Sequence, residues 1–227
     1  MQAPTTRERQ PDQRTLVKVL LDQKGQTFTQ AAGIPIEENT PGVLFQHLCM
    51  SLLLSARISA GNALEATRAL IEAGFTTPHK MASASWQQRV DVITWHGYKR
   101  YDERTSTMLG TTASLVLEKY DGDLRQLRQA AGREVKREHA LLQEFSGIGP
   151  IGADIFLREV QLVWDEVFPY ADRKVLQAAS RLGLPDDAKD LSTMVARRDF
   201  ARLTAALIRT ALDKQYDEIS QTSRGVR

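Results

Sequence analysis

Residues 142–157 read Leu-Gln-Glu-Phe-Ser-Gly-Ile-Gly-Pro-Ile-Gly-Ala-Asp-Ile-Phe-Leu. A helical pattern runs into Gly147-Ile148-Gly149, and Pro150 suits the first turn of a second helix that starts at once. Gly147, Gly149 and Gly152 permit tight backbone angles and close approach of another molecule. Ile148 can point inward and lock the two helices together. The first N–H groups of the second helix, around Ile151 and Gly152, have no partner within the helix, and the positive end of its dipole lies behind them. That combination holds a phosphate. It meets the backbone of a nucleic acid rather than base edges, so it needs neither sequence recognition nor a high net charge. A bare Gly-X-Gly is equally an ordinary tight turn. Leu142 and Phe145 before it and Ala153 after it favour the phosphate-binding reading.

The other candidate residues are a carboxylate and several cations. Asp172 opens an apolar helix pattern (Val175, Leu176, Ala179, Leu182), where it suits the N-cap. The apolar, aromatic approach Val167-Phe168-Pro169-Tyr170 can shield it from bulk water. Arg57 ends the most apolar stretch of the chain, where it can contact a nucleic acid or form a surface ion pair. His96-Gly97-Tyr98-Lys99-Arg100-Tyr101 joins a glycine turn to basic and aromatic residues, a mix suited to backbone contact and base stacking. It is otherwise a polar loop with locally packed tyrosines. Lys174 stands two positions from Asp172, which on a helix turns it to a different side. It is read as a backbone-contacting or solvent residue. Trp86, Trp95 and Trp164 are read as core, and Arg133, Arg137, Arg197 and Arg198 as solvated.

The elements that must position these residues are helical. Apolar residues at 45, 48, 49, 52, 53 and 56 recur at helical spacing over 41–57, and surround so much of that helix that it should be central and buried. Further helices are predicted over 15–23, from the N-cap Ser59 to Ala73, from Thr77-Pro78, and over 85–94, 102–120, 123–129, 135–145, 172–182 and 198–214. Residues 33–41 read as a loop, and 1–12 and 219–227 as polar, flexible tails. No period-2 strand pattern persists, so the fold class is all-α.

Composition excludes several functions. The 227 residues are 42% hydrophobic and 26% charged, with a formal charge of +2, so any basic surface is a local patch. Cys49 is the one cysteine, which rules out an internal disulfide and a four-cysteine metal or iron–sulfur site. It lies in an apolar run and reads as core. The four histidines show no metal-ligand spacing, and no cofactor is expected. No apolar run is long enough for a membrane span, and Met1 to Arg14 is polar and lacks the apolar stretch of a secretory signal, so cytoplasm is the expected location.

Three segments, in order and spacing, resemble the helix-hairpin-helix DNA glycosylase superfamily, the endonuclease III group. They are Leu52-Leu-Leu-Ser-Ala-Arg57, the hairpin at 142–157, and Phe168-Pro-Tyr-Ala-Asp172-Arg-Lys-Val175. The resemblance spans roughly residues 42–185 and implies a two-lobed helical fold. One lobe would cover 42–160 and end in the hairpin, and 13–41 with 161–218 would form the other and carry Asp172. It implies a base-excision repair enzyme that flips a damaged nucleotide out of double-stranded DNA, acting as a monomer with no membrane contact. By position Asp172 is the catalytic carboxylate, Arg57 and the 96–101 loop lie at the lesion, and Gly147 to Gly152 hold the phosphate. Bifunctional members carry a Schiff-base lysine where this chain has Ile151, so a monofunctional glycosylase without strand cleavage is expected. The family's four-cysteine cluster is missing. The alternative is a DNA-structure binder that has lost catalysis.

Overall fold

The computed structural model describes residues 12–95 and 102–225. The helices among these described residues are α1 (Gln13–Lys24), α2 (Phe28–Ala32), α3 (Pro41–Ser55), α4 (Ala60–Glu72), α5 (Pro78–Ser83), α6 (Trp86–Trp95), α7 (Asp102–Tyr120), α8 (Leu124–Ala130), α9 (Val135–Leu142), α10 (Pro150–Val160), α11 (Arg173–Arg181), α12 (Ala188–Ser192), α13 (Arg197–Asp213) and α14 (Tyr216–Gly225). Two short 3-10 turns stand at Ile36–Glu38 and Asp165–Val167. There is no strand among the described residues, and no helix there is long and apolar enough to cross a membrane.

Side-chain caps set most helix starts. Thr40, Ser59 and Thr77 accept the N–H groups of Val43, Asn62 and Lys80, satisfying donors the helix cannot pair internally. Asp121 and Gly122, at φ of 50° and 77°, follow the end of α7, and Gly74, at 81°, follows the end of α4.

The chain divides into two compact units. Thr27–Tyr170 is built around α3, whose apolar residues are buried on every side. Helices α4 and α10 pack on α3, α9 packs on α10, and α5 and α6 pack on α7. Helix α2 is too short to persist alone. Thr27 and Gln30 form a reciprocal capping box at its start. Both oxygens of the buried Glu159 on α10 accept its first N–H groups, Phe28 at 2.6 Å and Thr29 at 2.7 Å. His47 stacks on Phe156 at 4.6 Å and donates Nε2 to the Phe156 carbonyl at 2.9 Å. Full burial lowers its pKa and keeps the ring neutral.

The second unit comprises the chain before Thr27 and after Tyr170. Helix α13 is its spine, with α1, α11 and α14 packed on it. Arg202 and Arg209 donate Nε to the carbonyls of Gly25 and Gln26, at 3.1 and 3.0 Å, just past the end of α1. These bounds place residues 27–41 and 161–170 with the hairpin-bearing unit, outside the 42–160 span expected for it. Residues 219–225 are also not a tail: they belong to α14, and Ile219 is fully buried. One buried isoleucine in a polar segment outweighs its composition.

Candidate nucleic-acid interface

After α9 the chain turns through Gly147, whose φ of 86° is left-handed. The Ile148 N–H bonds the Phe145 carbonyl at 3.0 Å, and the Ile148 side chain is buried. Gly152 provides the close approach: a Cβ there would lie 3.3 Å from Ile148 Cδ1 and 3.5 Å from Ser55 Cβ. A Cβ on Gly147 would lie 2.5 Å from Met108 Sδ. Gly149 differs, since a Cβ there would meet nothing within 4 Å. Gly149 is the N-cap of α10, and no side chain caps that end. Pro150, which has no N–H, opens the helix, and the next donors belong to Ile151 and Gly152. Ile151 is 64% exposed. The inward Ile148 and the tight glycine turn read from the sequence are therefore present.

Beside the hairpin lies a cleft of about 420 Å³. Leu52, Ala56 and Met108 give it apolar walls, Gly147 joins it to the hairpin, and Arg57 and Arg104 add positive charge. Arg57 stands just past α3, and Arg104 in the first turn of α7. Both side chains are exposed, and neither forms an ion pair among the described residues. The sequence pointed to Arg57 but not to Arg104, which joins it only through the packing of this unit. Tyr98, Lys99 and Arg100 lie outside the described residues.

Asp172 is the N-cap of α11 and 8% exposed. Its Oδ1 accepts the N–H of Lys174 at 2.7 Å and of Val175 at 3.4 Å. The Lys174 side chain is exposed. The segment before Asp172 is pinned within its own unit. Asp154 Oδ1 on α10 accepts Tyr170 OH at 2.5 Å and His139 Nε2 at 3.1 Å. Gln161 exchanges two hydrogen bonds with the Tyr170 backbone, at 2.9 and 3.1 Å. This Asp154–Tyr170–His139 group escaped the sequence reading, because its members come from three separate segments.

Nothing in the chain fits a four-cysteine cluster. Cys49 is buried in α3, and burial raises its thiol pKa. Among the described residues no group of three or more His, Cys, Asp or Glu is placed to hold a metal.

No protein-family model and no curated protein matches the sequence. Solved structures do. A Helicobacter pylori (H. pylori) 3-methyladenine DNA glycosylase, MagIII, bound to 1,N6-ethenoadenine, aligns with a TM-score of 0.55 and 14% identity, over 89% of this chain and 98% of that one. A non-covalent endonuclease III–DNA complex aligns with a TM-score of 0.47 and 20% identity, over 72% and 71% of the two chains. A trapped endonuclease III–DNA covalent intermediate gives 0.45 and 17%, over 72% and 71%. The MagIII alignment runs through nearly the whole of both chains. With the hairpin geometry it gives the conclusion that this chain has the all-α fold of the helix-hairpin-helix DNA glycosylases.

Proposed function

We propose that the protein is a DNA glycosylase of base-excision repair. It hydrolyses the N-glycosidic bond of a damaged or mismatched base in duplex DNA and leaves an abasic site with the strand intact. The observation that carries this reading is the uncapped N-terminus of α10 beside a cleft bearing two cations that have no ion-pair partner among the described residues. The backbone N–H groups there suit a DNA phosphate. Arg57 and Arg104 suit a second phosphate or the gap left by a flipped base, with the apolar walls of the cleft beside them.

Cleavage of the bond builds positive charge on the sugar. The Asp172 carboxylate is assigned to stabilise that charge and to orient the attacking water. The cap on α11 fixes the carboxylate in place, so the structural and catalytic roles are compatible. Strand cleavage through a Schiff base needs an amine at the start of the hairpin's second helix, and the side chain at that position is the exposed Ile151. Lys174, whose side chain is exposed, is assigned a contact with the DNA backbone. The protein is assigned to act as a monomer.

The test is single-turnover excision on duplexes that each carry one alkylated, etheno, oxidised, deaminated or mismatched base. Alkylated and etheno purines come first, because MagIII is a 3-methyladenine glycosylase bound to ethenoadenine. Strand breaks that appear only after alkali, and vanish in Asp172→Asn, support the proposal. Breaks without alkali overturn the monofunctional assignment. Tight duplex binding with no excision of any lesion makes the protein a non-catalytic DNA binder.

A further inference from the structure

The turn between α8 and α9 contains more strain than a helix end requires. Gly132, at φ of 66°, donates its N–H to Gln129 O at 2.8 Å, and Arg133 donates its N–H to Arg128 O at 3.1 Å. This pair of bonds closes a helix C-terminus and needs one left-handed residue, which Gly132 supplies. Arg133 is a second, at φ of 58°. Residues with a side chain resist that conformation, and it persists where the surroundings hold it. The Arg133 side chain is exposed, and its guanidinium N–H donors meet no acceptor among the described residues. The solvated position expected of Arg133 is therefore correct in exposure, but the side chain is also part of a concave surface.

Arg133 lines a cleft of about 260 Å³ with Arg125, Arg128, Asp123, Gln126 and Gln129. Arg128 is tied along one edge, with Nε and Nη2 each 2.5 Å from a Glu166 oxygen, and its guanidinium lies 5.6 Å from the Trp164 ring centre. Arg125 is tied likewise to Asp123, by Nε at 2.8 Å and Nη2 at 2.8 Å. Each keeps Nη1 uncommitted among the described residues. We propose that this cleft binds a phosphate group, with Arg133 as the principal ligand and the Nη1 edges of Arg125 and Arg128 completing the donor set. Guanidinium forks match the oxygens of a phosphate. Two of the three are already ordered by their carboxylates, so little side-chain freedom is lost on binding.

The charge balance is favourable. Asp123 is the one carboxylate in the lining, and both its oxygens already accept from Arg125. Glu134, next in the chain, is offset by Arg137 at 3.7 Å. Glu166 lies behind Arg128. Glu138, buried nearby, has its pKa pushed up to about 8 by burial and the neighbouring Glu166 carboxylate, so it adds no second negative charge at neutral pH. The cleft sits at the opposite end of α9 from the hairpin turn. That helix is eight residues long, roughly 12 Å of rise, so this site is distinct from the hairpin site. The phosphate belongs either to the backbone of bound DNA or to a small phosphate-bearing molecule.

The test titrates inorganic phosphate, at constant ionic strength, into the wild type, Arg133→Gly and Arg198→Gln, following the arginine Nε–H resonances by NMR. Glycine suits the backbone at 133, so that variant keeps its fold, and an unchanged or higher Tm checks this. Arg198, whose side chain is 88% exposed on α13, controls for bulk charge. The proposal expects saturable shifts at Arg125 and Arg128, and binding weakened roughly tenfold in Arg133→Gly, with Arg198→Gln unchanged. Absence of saturable shifts, no loss in Arg133→Gly, or an equal loss in Arg198→Gln overturns it. Affinity for an undamaged duplex separates the sources. A parallel loss in Arg133→Gly identifies a DNA phosphate, and unchanged duplex affinity with lost phosphate binding identifies a free ligand.

Discussion

Gly149 is the N-cap of α10 and Asp172 that of α11, and both hold extended backbone, with ψ of −169° and 171°. Asp172 supplies its own helix with an anion, through Oδ1 to the N–H groups of Lys174 and Val175. Gly149 supplies nothing, and open space lies where its Cβ would be. The two ends share a dipole and a set of unpaired donors. What separates them is whether the chain fills its own anion site. A helix start is a receptor for an outside phosphate only where the sequence declines to cap it, and it is a mount for a carboxylate where it does.

The largest effect that sharpens this contrast is at Asp172. Asparagine caps a helix about as well as aspartate, so Asp172→Asn should leave the Tm nearly unchanged. The same change removes the charge assigned to the transition state and should slow excision by about 100-fold or more. A matched loss of stability and rate would reduce Asp172 to a cap.

Gly149→Asp converts one end into the other. The new carboxylate caps α10 and occupies the position assigned to the DNA phosphate. Stability should rise by a few tenths of a kcal/mol, about what a cap gains over glycine, while duplex affinity falls roughly tenfold. Binding that survives this change would move the phosphate away from α10. Gly147→Ala tests the turn rather than the donors. At φ of 86°, with Met108 Sδ 2.5 Å from the new Cβ, it should cost about 1–2 kcal/mol in denaturant unfolding.

The smallest effect at neutral pH concerns a carboxyl that sits at no helix start. The Glu138 carboxyl is buried, and burial together with the neighbouring Glu166 carboxyl raises its pKa from 4.5 to about 8. A raised folded-state pKa contributes stability fully below the unfolded value and loses it as pH climbs through the folded one. Wild-type stability should thus decline between about pH 4.5 and pH 8 on account of this group. Glu138→Gln should flatten that decline and melt higher than the wild type at pH 9. A parallel pH profile in the two proteins would place the charge elsewhere.

Features written in local sequence were legible. Ser59, Thr77-Pro78 and the Gly147-Ile148-Gly149 turn announce themselves by residue type, and the helix at 102–120 was bounded correctly. Asp172 was readable as a cap for the same reason. Helix α2 was missed although Thr27 and Gln30 have capping-box spacing, because its five residues show no periodicity. Helix α14 was missed because one buried residue, Ile219, anchors a polar segment. Arg104 and the Asp154–Tyr170–His139 group were not legible, since each depends on residues brought together only by tertiary packing.

The Glu159 cap on α2 has a consequence for the order of folding. Its carboxylate reaches amides 131 and 130 positions away along the chain, so α2 has no lasting start until α10 has docked. Contacts of such long sequence separation form late and release only in large openings. The amides of Phe28 and Thr29, although they sit in a five-residue helix, should exchange their hydrogens at the pace of α10 rather than at that of a frayed peptide.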